Sequence, residues 1–433
     1  MYGIVPPTNN FKIMLMRAIV FLLLIFPLWV LSQTPYQVYY GNLHSHTSQS
    51  DGEGTPAIAY QYARDSAGID FLAVTDHLEQ ISSSEWSDVQ YQADAGTQTG
   101  NFVGISGWEY GSPFYGHVNV FNNTQQITTL GWYYLDWGGF TDWLLAHPPG
   151  FAQFNHPGDD ITANNWNNFE YKGASLDSAI PLIEFQNIQQ ATDFYELSLL
   201  KGWHLSPVWN QDNHSADWGT KNNGRAGLWA TELSRPALFD AISGGRTFAT
   251  MDKNASVWIS SNTTPMGSIA ARQVDLPVQI SLQDGDSEIW TLIEIVSNNG
   301  ILMSLDSITG NFDTIIYITP YTDNYIFIRG IQADGNYIWS APLCINGDIS
   351  GQNDISFPTE IKVFPNPASE SICVRNSQPG SVLLIYNIYG GMVYSETFDD
   401  NTDIHCDDLL PGIYLVEISN RAGKSYFKQV IKK

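Results

Sequence analysis

A chain of 433 residues is too long for one small core, so two or three domains are expected, each with enough apolar residues to fill its own interior. Asp and Glu outnumber Lys and Arg by 44 to 19, a net charge of −25, which argues against nucleic acid or an anionic membrane surface as the main partner. The first segment reads as an address. Lys12 and Arg17 precede an apolar run from Ala18 to Ser32, interrupted by Pro27, and Val30-Leu31-Ser32 offers a small-residue cleavage site before Gln33. Residues 1–32 are therefore expected to be a secretory signal peptide, because the run is short against the ~20 residues a membrane span needs. An uncleaved anchor is the alternative; after cleavage no stable membrane span is expected.

From Tyr36 to about Thr250, short apolar runs alternate with polar or helical stretches. Strands are predicted at Gln37–Leu43, Ile69–Val74, Phe102–Trp108, Phe151–Asn155, Pro181–Phe185 and Leu205–Trp209. A helix is predicted over Thr55–Gly68, started by Thr55-Pro56 and ended by Gly68. This alternation points to an α/β fold, either a barrel or a doubly wound sheet, over residues 36–254. Residues 255–345 alternate like strands, with turns at Asp284-Gly285 and Asp334-Gly335, and read as a β-sandwich-like extension. Residues 346–359 read as a linker, and 360–433 as a C-terminal all-β module with strands near Val382–Ile388 and Gly412–Ile418. Only Cys344, Cys373 and Cys406 are present, which excludes a disulfide framework and a Cys-based zinc site. A Cys373–Cys406 bridge after export stays open.

The chemistry lies in where the metal-type side chains fall. His44 and His46 follow the first predicted strand, His77 the second, Glu109 the third, His156 the fourth, and Asp212 and His214 the last. Strand ends of a parallel barrel converge on one face, so these residues are expected to meet despite their separation in sequence. Asp51, in the loop after His46, and His117, in Gly116-His117-Val118-Asn119, complete a set of nine. Alternate residues of an extended segment share a face, so both imidazoles of His44-Ser45-His46 can reach one cation. Six imidazoles and three carboxylates suit two or three divalent Zn, Mn or Fe ions. His147, in Ala146-His147-Pro148, competes with His156 in Asn155-His156-Pro157; His156 is preferred because it ends the clearer strand. Asp76 is expected to orient a loop or a histidine rather than bind metal. Arg225, Arg235 and Arg246 are each either anion-binding groups or ion-pair partners, with Arg225 favoured because it follows His214 closely.

These residues resemble the PHP family (polymerase and histidinol phosphatase). Its motifs are matched by His44-Ser45-His46 with Ser50-Asp51-Gly52, by Thr75-Asp76-His77, by Asn155-His156-Pro157 and by Asp212-Asn213-His214, with Glu109 and His117 between them. The resemblance implies a distorted (β/α)7 barrel. It further implies that His44, His46, Glu109 and Asp212 hold one ion, that Glu109, His117 and His156 hold a second, and that Asp51, His77 and His214 hold a third. Leu233-Ser234-Arg235-Pro236 and Gly244-Gly245-Arg246-Thr247-Phe248-Ala249-Thr250 are similar to the carbaryl-hydrolase-like (CehA/McbA) branch, which carries a β-rich extension. Phe364-Pro365-Asn366-Pro367-Ala368, Ile385-Tyr386-Asn387 and Leu410-Pro411-Gly412-Ile413-Tyr414 resemble a type IX secretion C-terminal sorting domain of type A.

The expected function is a secreted or cell-surface hydrolase in which a metal-bridging hydroxide attacks a small-molecule ester, with Glu109, Asp212 and Arg225 as catalytic groups. A phosphoesterase leads, and a carboxyl- or carbamate-ester hydrolase is second. A catalytically lapsed, metal-holding binding protein is the reading from another class. The type IX secretion machinery is the expected macromolecular partner. Other chemistries lack their residues: Gly104-Ile105-Ser106-Gly107 has the wrong spacing for a nucleophile elbow, and Ile418 stands where a P-loop before Lys424-Ser425 requires glycine.

Overall fold

The computed structural model describes residues 35–127, 136–159, 163–320, 322–346, 362–375, 381–387, 392–398, 402–406, 409–419 and 425–433. The expected signal peptide and nearly all of the expected linker lie outside them. The chain divides into two compact units, one ending at Asn254 and lacking Glu196–Leu205, the other formed by Glu196–Leu205 and Ala255–Lys433. Among the described residues no helix is long and apolar enough to cross a membrane.

The first unit is a mixed α/β structure around nine strands: β1 (Gln37–Asn42), β2 (Phe71–Val74), β3 (Val103–Ser112), β4 (Gly116–Phe121), β5 (Phe151–Phe154), β6 (Leu182–Phe185), β7 (Ser206–Trp209), β8 (Arg225–Ala230) and β9 (Thr247–Thr250). They neighbour one another in the order β9-β8-β1-β2-β3-β4-β5-β6-β7. β1, β2 and β3 pair in parallel, as do β5, β6 and β7. β4 is antiparallel to both neighbours, and β8 is antiparallel to β1 and β9. The antiparallel step has a plain cause: three residues separate β3 from β4, whereas a parallel crossover needs a dozen or more. The sheet curls. Beyond the strand ends, Ser45 and Asn213 form a parallel bridge, His46 N–H donates to the Asn213 carbonyl at 2.8 Å, and Thr247 Oγ1 donates to the Pro207 carbonyl at 2.9 Å. One apolar core fills the inside, drawing Leu43, Phe71, Ile105, Phe121, Phe151, Leu182, Val208 and Leu228 from around the curl.

Helices flank this sheet where local signals allow. Thr55 caps the helix Pro56–Tyr62, which runs through a π-turn, Ala63–Ala67, to a left-handed Gly68. Ser82 and Glu85 form a capping box at Ser83–Gly96, and Ser234 caps Arg235–Ser243.

In the second unit, Ser256–Ser261, Thr264–Pro265, Leu276–Gln283 and Phe312–Ile318 make one sheet. Tyr325–Gln332 lies at the centre of another, paired with Ile289–Ser297 on one side and with Tyr337–Ser340 and Leu343–Asn346 on the other. The two sheets touch at Gly330, where an added Cβ would lie 3.0 Å from the Leu282 side chain. The C-terminal strands form sheets of three and four strands over a core that includes Val374, Ile385, Val416 and Val430.

Candidate metal centre

The nine side chains named above collect where the strand ends of the first unit meet. Glu109 is the hub. It is buried in β3, and its carboxylate lies 3.3 Å from His44 Nε2, 3.4 Å from His46 Nε2, 3.1 Å from His77 Nδ1, 3.1 Å from His117 Nδ1 and 3.5 Å from His156 Nε2. Asp212 Oδ1 lies 3.3 Å from His44 Nε2, 3.0 Å from His46 Nε2 and 3.6 Å from His214 Nδ1. Asp51, half-exposed in the loop after His46, reaches His214 Nε2 at 3.4 Å and His77 Nε2 at 3.6 Å.

Within this cluster three groups are compact enough to hold a metal ion: His46, Asp51, His77 and His214; His44, His46 and Asp212; and His44, Glu109 and His156. They overlap the partition the resemblance implies without repeating it. His46 joins the outer group as well, and His44 stands with Glu109 and His156 where His117 was expected. His117 keeps its contact with Glu109 and sits 5.2 Å, ring to ring, from His156.

The donor set fits cations by a test independent of its composition. His46 Nδ1, His77 Nδ1 and Asp212 Oδ1 are buried with no hydrogen-bond partner, although carboxylates or imidazoles stand within 4 Å of each. Groups so close and so poorly aligned for hydrogen bonds, yet hidden from water, are costly unless something else occupies the space between them. Oxygen and imidazole donors at such spacing suit divalent metal ions.

Charge in the cluster is strongly coupled. At His44, His156, Glu109 and Asp212 burial disfavours the charged form, but opposite charges outweigh it. Glu184, Asp212 and Glu109 hold the His44 imidazole well above its ordinary range. A hydrogen bond with Glu109 and the charge of Glu184 push His156 up to about 9. His44 and His117 hold Glu109 well below the usual carboxylate range, and His44 and His46 do the same for Asp212. At His77 burial prevails, with help from His46 and His117, and the imidazole is lowered.

Backbone geometry aims two of the ligand-type residues. His156 and Asp212 directly follow strand ends or lie just beyond them, with φ of 27° and 46°. Non-glycine residues there cost about 1 kcal/mol or more each, and they persist where the surroundings over-determine them. Those surroundings are a belt of buried carboxamides beneath the cluster. Asn42 Nδ2 donates to Asn213 Oδ1, Leu43 N–H to Asn210 Oδ1, Asn210 Nδ2 to Gln153 Oε1, Gln153 Nε2 to Asn155 Oδ1, and Asn155 Nδ2 to Glu109 Oε1. Asp76 accepts from Thr47 N, Thr47 Oγ1 and Ser50 Oγ, so it holds the loop that carries Asp51.

The remaining residues named from sequence belong to none of the three groups. His147 ends the helix Trp137–Ala146, bonds the Trp143 carbonyl through Nδ1 and stacks on the Trp143 ring. Arg225 is buried at the start of β8, with Nη1 donating to the Asn222 and Gly224 carbonyls. Arg235 binds Asp94 and the Gly104 carbonyl, and Arg246 binds Asp240. Two acidic residues escaped the sequence reading. Glu184, buried in β6, bonds His44, and Glu79 places Oε1 3.7 Å from His77 Nδ1, its carboxyl raised by burial. The signal for Glu184 was a lone acid inside the apolar strand Leu182–Phe185.

Comparison with known proteins gives one clear match. Residues 362–433 match the secretion system C-terminal sorting domain family. This tail links the chain to the secretion machinery and to export. An endo-acting ulvan lyase of Formosa agariphila is 24% identical over 153 residues, 35% of this chain and 28% of that protein, so the match spans under a third of the relative's length. A two-domain protein of Bacteroides vulgatus, containing a predicted PHP-like metal-dependent phosphoesterase, is similar in structure at 15% identity and TM-score 0.42, over 71% of this chain and 96% of that one. PorZ, a surface component of the type-IX secretion system of Porphyromonas gingivalis, is 12% identical at TM-score 0.17, over 48% of this chain and 37% of its own.

Proposed function

We propose that the chain is an exported, metal-dependent hydrolase of the PHP type, with the curled sheet as a distorted (β/α)7 barrel and phosphate esters as substrates. The observation that carries this reading is the convergence of six imidazoles and three carboxylates on a space where three buried polar atoms lack hydrogen-bond partners. In this reading His44, His46, Asp51, His77, Glu109, His117, His156, Asp212 and His214 hold two or three divalent ions. Such ions, when bound, lower the pKa of a coordinated water toward neutrality and draw charge from an ester oxygen.

The chain's own residues do the rest. Glu109 and Asp212 supply the anionic oxygens that let several dications sit close together, and the carboxamide belt fixes the strand ends that carry them. Half-exposed Asp51 and His214 form the open side, where a substrate enters. Nη1 of Arg225 is committed to two carbonyls and Arg235 and Arg246 are paired, so in this reading bound cations, more than these guanidinium groups, receive an anionic group in the mouth. That arrangement keeps carboxyl- or carbamate-ester hydrolysis as the second reading. Residues 1–32 act in this account as a cleaved signal peptide.

The test is an ester panel on metal-loaded protein, comparing phosphomonoesters, phosphodiesters and acyl esters. One class should be turned over, and His44→Ala should lower its kcat/KM at least ~100-fold, the scale of losing one strong transition-state contact. Undiminished turnover in His44→Ala, or none on any ester, would contradict the proposal.

A further inference from the structure

Glu184 joins none of the three metal-sized groups. It is wholly buried in β6, with Oε1 and Oε2 each 3.0 Å from His44 Nδ1, and Oε2 also accepts the His156 backbone N–H at 2.9 Å. We propose that Glu184 is a positioning residue that sets His44 and His156 together for one cation, the one held with Glu109. This rests on the reading of the cluster as a metal centre.

A carboxylate only accepts hydrogen bonds, so the nitrogen facing both its oxygens carries the proton. His44 Nδ1 therefore keeps its proton, and when a cation displaces the other ring proton it is Nε2 that faces the cluster, where Glu109 and Asp212 lie 3.3 Å away. A histidine metal ligand needs this fixing of tautomer and ring orientation. The second bond acts on the backbone. His156 sits at φ 27°, and a carboxylate on its N–H holds that unfavourable turn in place. His44 and His156 are two of the three members of one group, while the group of His46, Asp51, His77 and His214 contains neither. His44 also stands with His46 and Asp212, so Glu184 bears on the inner groups, most directly the one that holds both His44 and His156, and leaves the outer one alone.

The alternative is a buried acid that merely balances charge. Glu184→Gln separates the two, because it keeps the volume and one acceptor but turns an amide N–H toward a donor. His44 would then move its proton to Nε2 or lose the bond. The experiment measures metal content, competition affinity for each ion and the Co(II) absorption spectrum of the full chain, wild type against variant. The variant is expected to hold at least one inner ion fewer, or to bind it 10- to 100-fold more weakly, with the outer ion and its spectral bands retained. Glu184→Asp, which keeps the charge but shortens the reach, should fall between, and it decides the matter if the glutamine variant does not fold. Full metal content with unchanged affinity and spectrum overturns the proposal, and so does loss of every ion from a folded variant. Wild-type protein without metal would instead overturn the proposed function.

Discussion

Glu109, buried among five imidazoles, makes the charge state of the site depend steeply on pH. In the metal-free chain His156 is raised to about 9 from 6.5, so its contribution to stability is complete below about pH 6.5 and is lost as pH rises through 9. Glu109 and Asp212 are lowered; their contribution is present above about pH 4.5 and is lost as pH falls through their folded values. The metal-free form is therefore expected to be most stable between about pH 5 and 6.5. Cations must displace the imidazole protons, so apparent metal affinity should keep rising, up to about tenfold per unit for each proton displaced, from pH 7 to 9. Competition titrations check this; affinity that levels off at pH 7, as ordinary histidines would give, would contradict it.

At the scale of elements, the strand ends supply the candidate ligands because β1, β2, β5 and β7 stop where the curl opens. The six predicted strands and the first helix were legible because apolar runs of four to eight residues, punctuated by Gly, Pro and polar clusters, have few other uses. His44, His46, His77, Asp212 and His214 could be found as polar residues just past such runs. β4 was not legible, since Gly116-His117-Val118-Asn119 mixes polar and apolar residues on a strand buried within the sheet. The amide belt was hidden for a related reason: Asn42 and Gln153 are polar residues inside predicted strands and Asn210 lies just past one, and nothing in the sequence shows their partners across the curl. Glu184 needed the knowledge that both faces of β6 are covered. The loop Ser45–Gly52 shows how tightly one ligand is set. A Cβ on Gly52 would lie 2.6 Å from the His46 carbonyl carbon and 2.7 Å from Thr47 N. Gly52→Ala is thus expected to cost about 1–3 kcal/mol and to weaken the ion nearest Asp51. Thermal melts with and without metal should show a larger loss of Tm in the loaded form, and equal losses would place the strain away from the site.

At the scale of the molecule, a candidate metal centre and a sorting tail occupy different parts of one chain. The C-terminal match to a sorting domain accounts for residues that the site does not need, and an excess of 25 negative charges argues against nucleic acid as the main partner. For the proposed hydrolase, the choice of ester would be set at the open side by Asp51 and His214, where the side chains are half-exposed. Whether it is a metal centre at all is the claim on which the rest depends. Elemental analysis of the full chain, purified without chelators and dialysed against metal-free buffer, tests it most directly. Two or three transition-metal ions per chain are predicted, falling by at least one in His44→Ala; a wild-type chain that retains none would contradict the account.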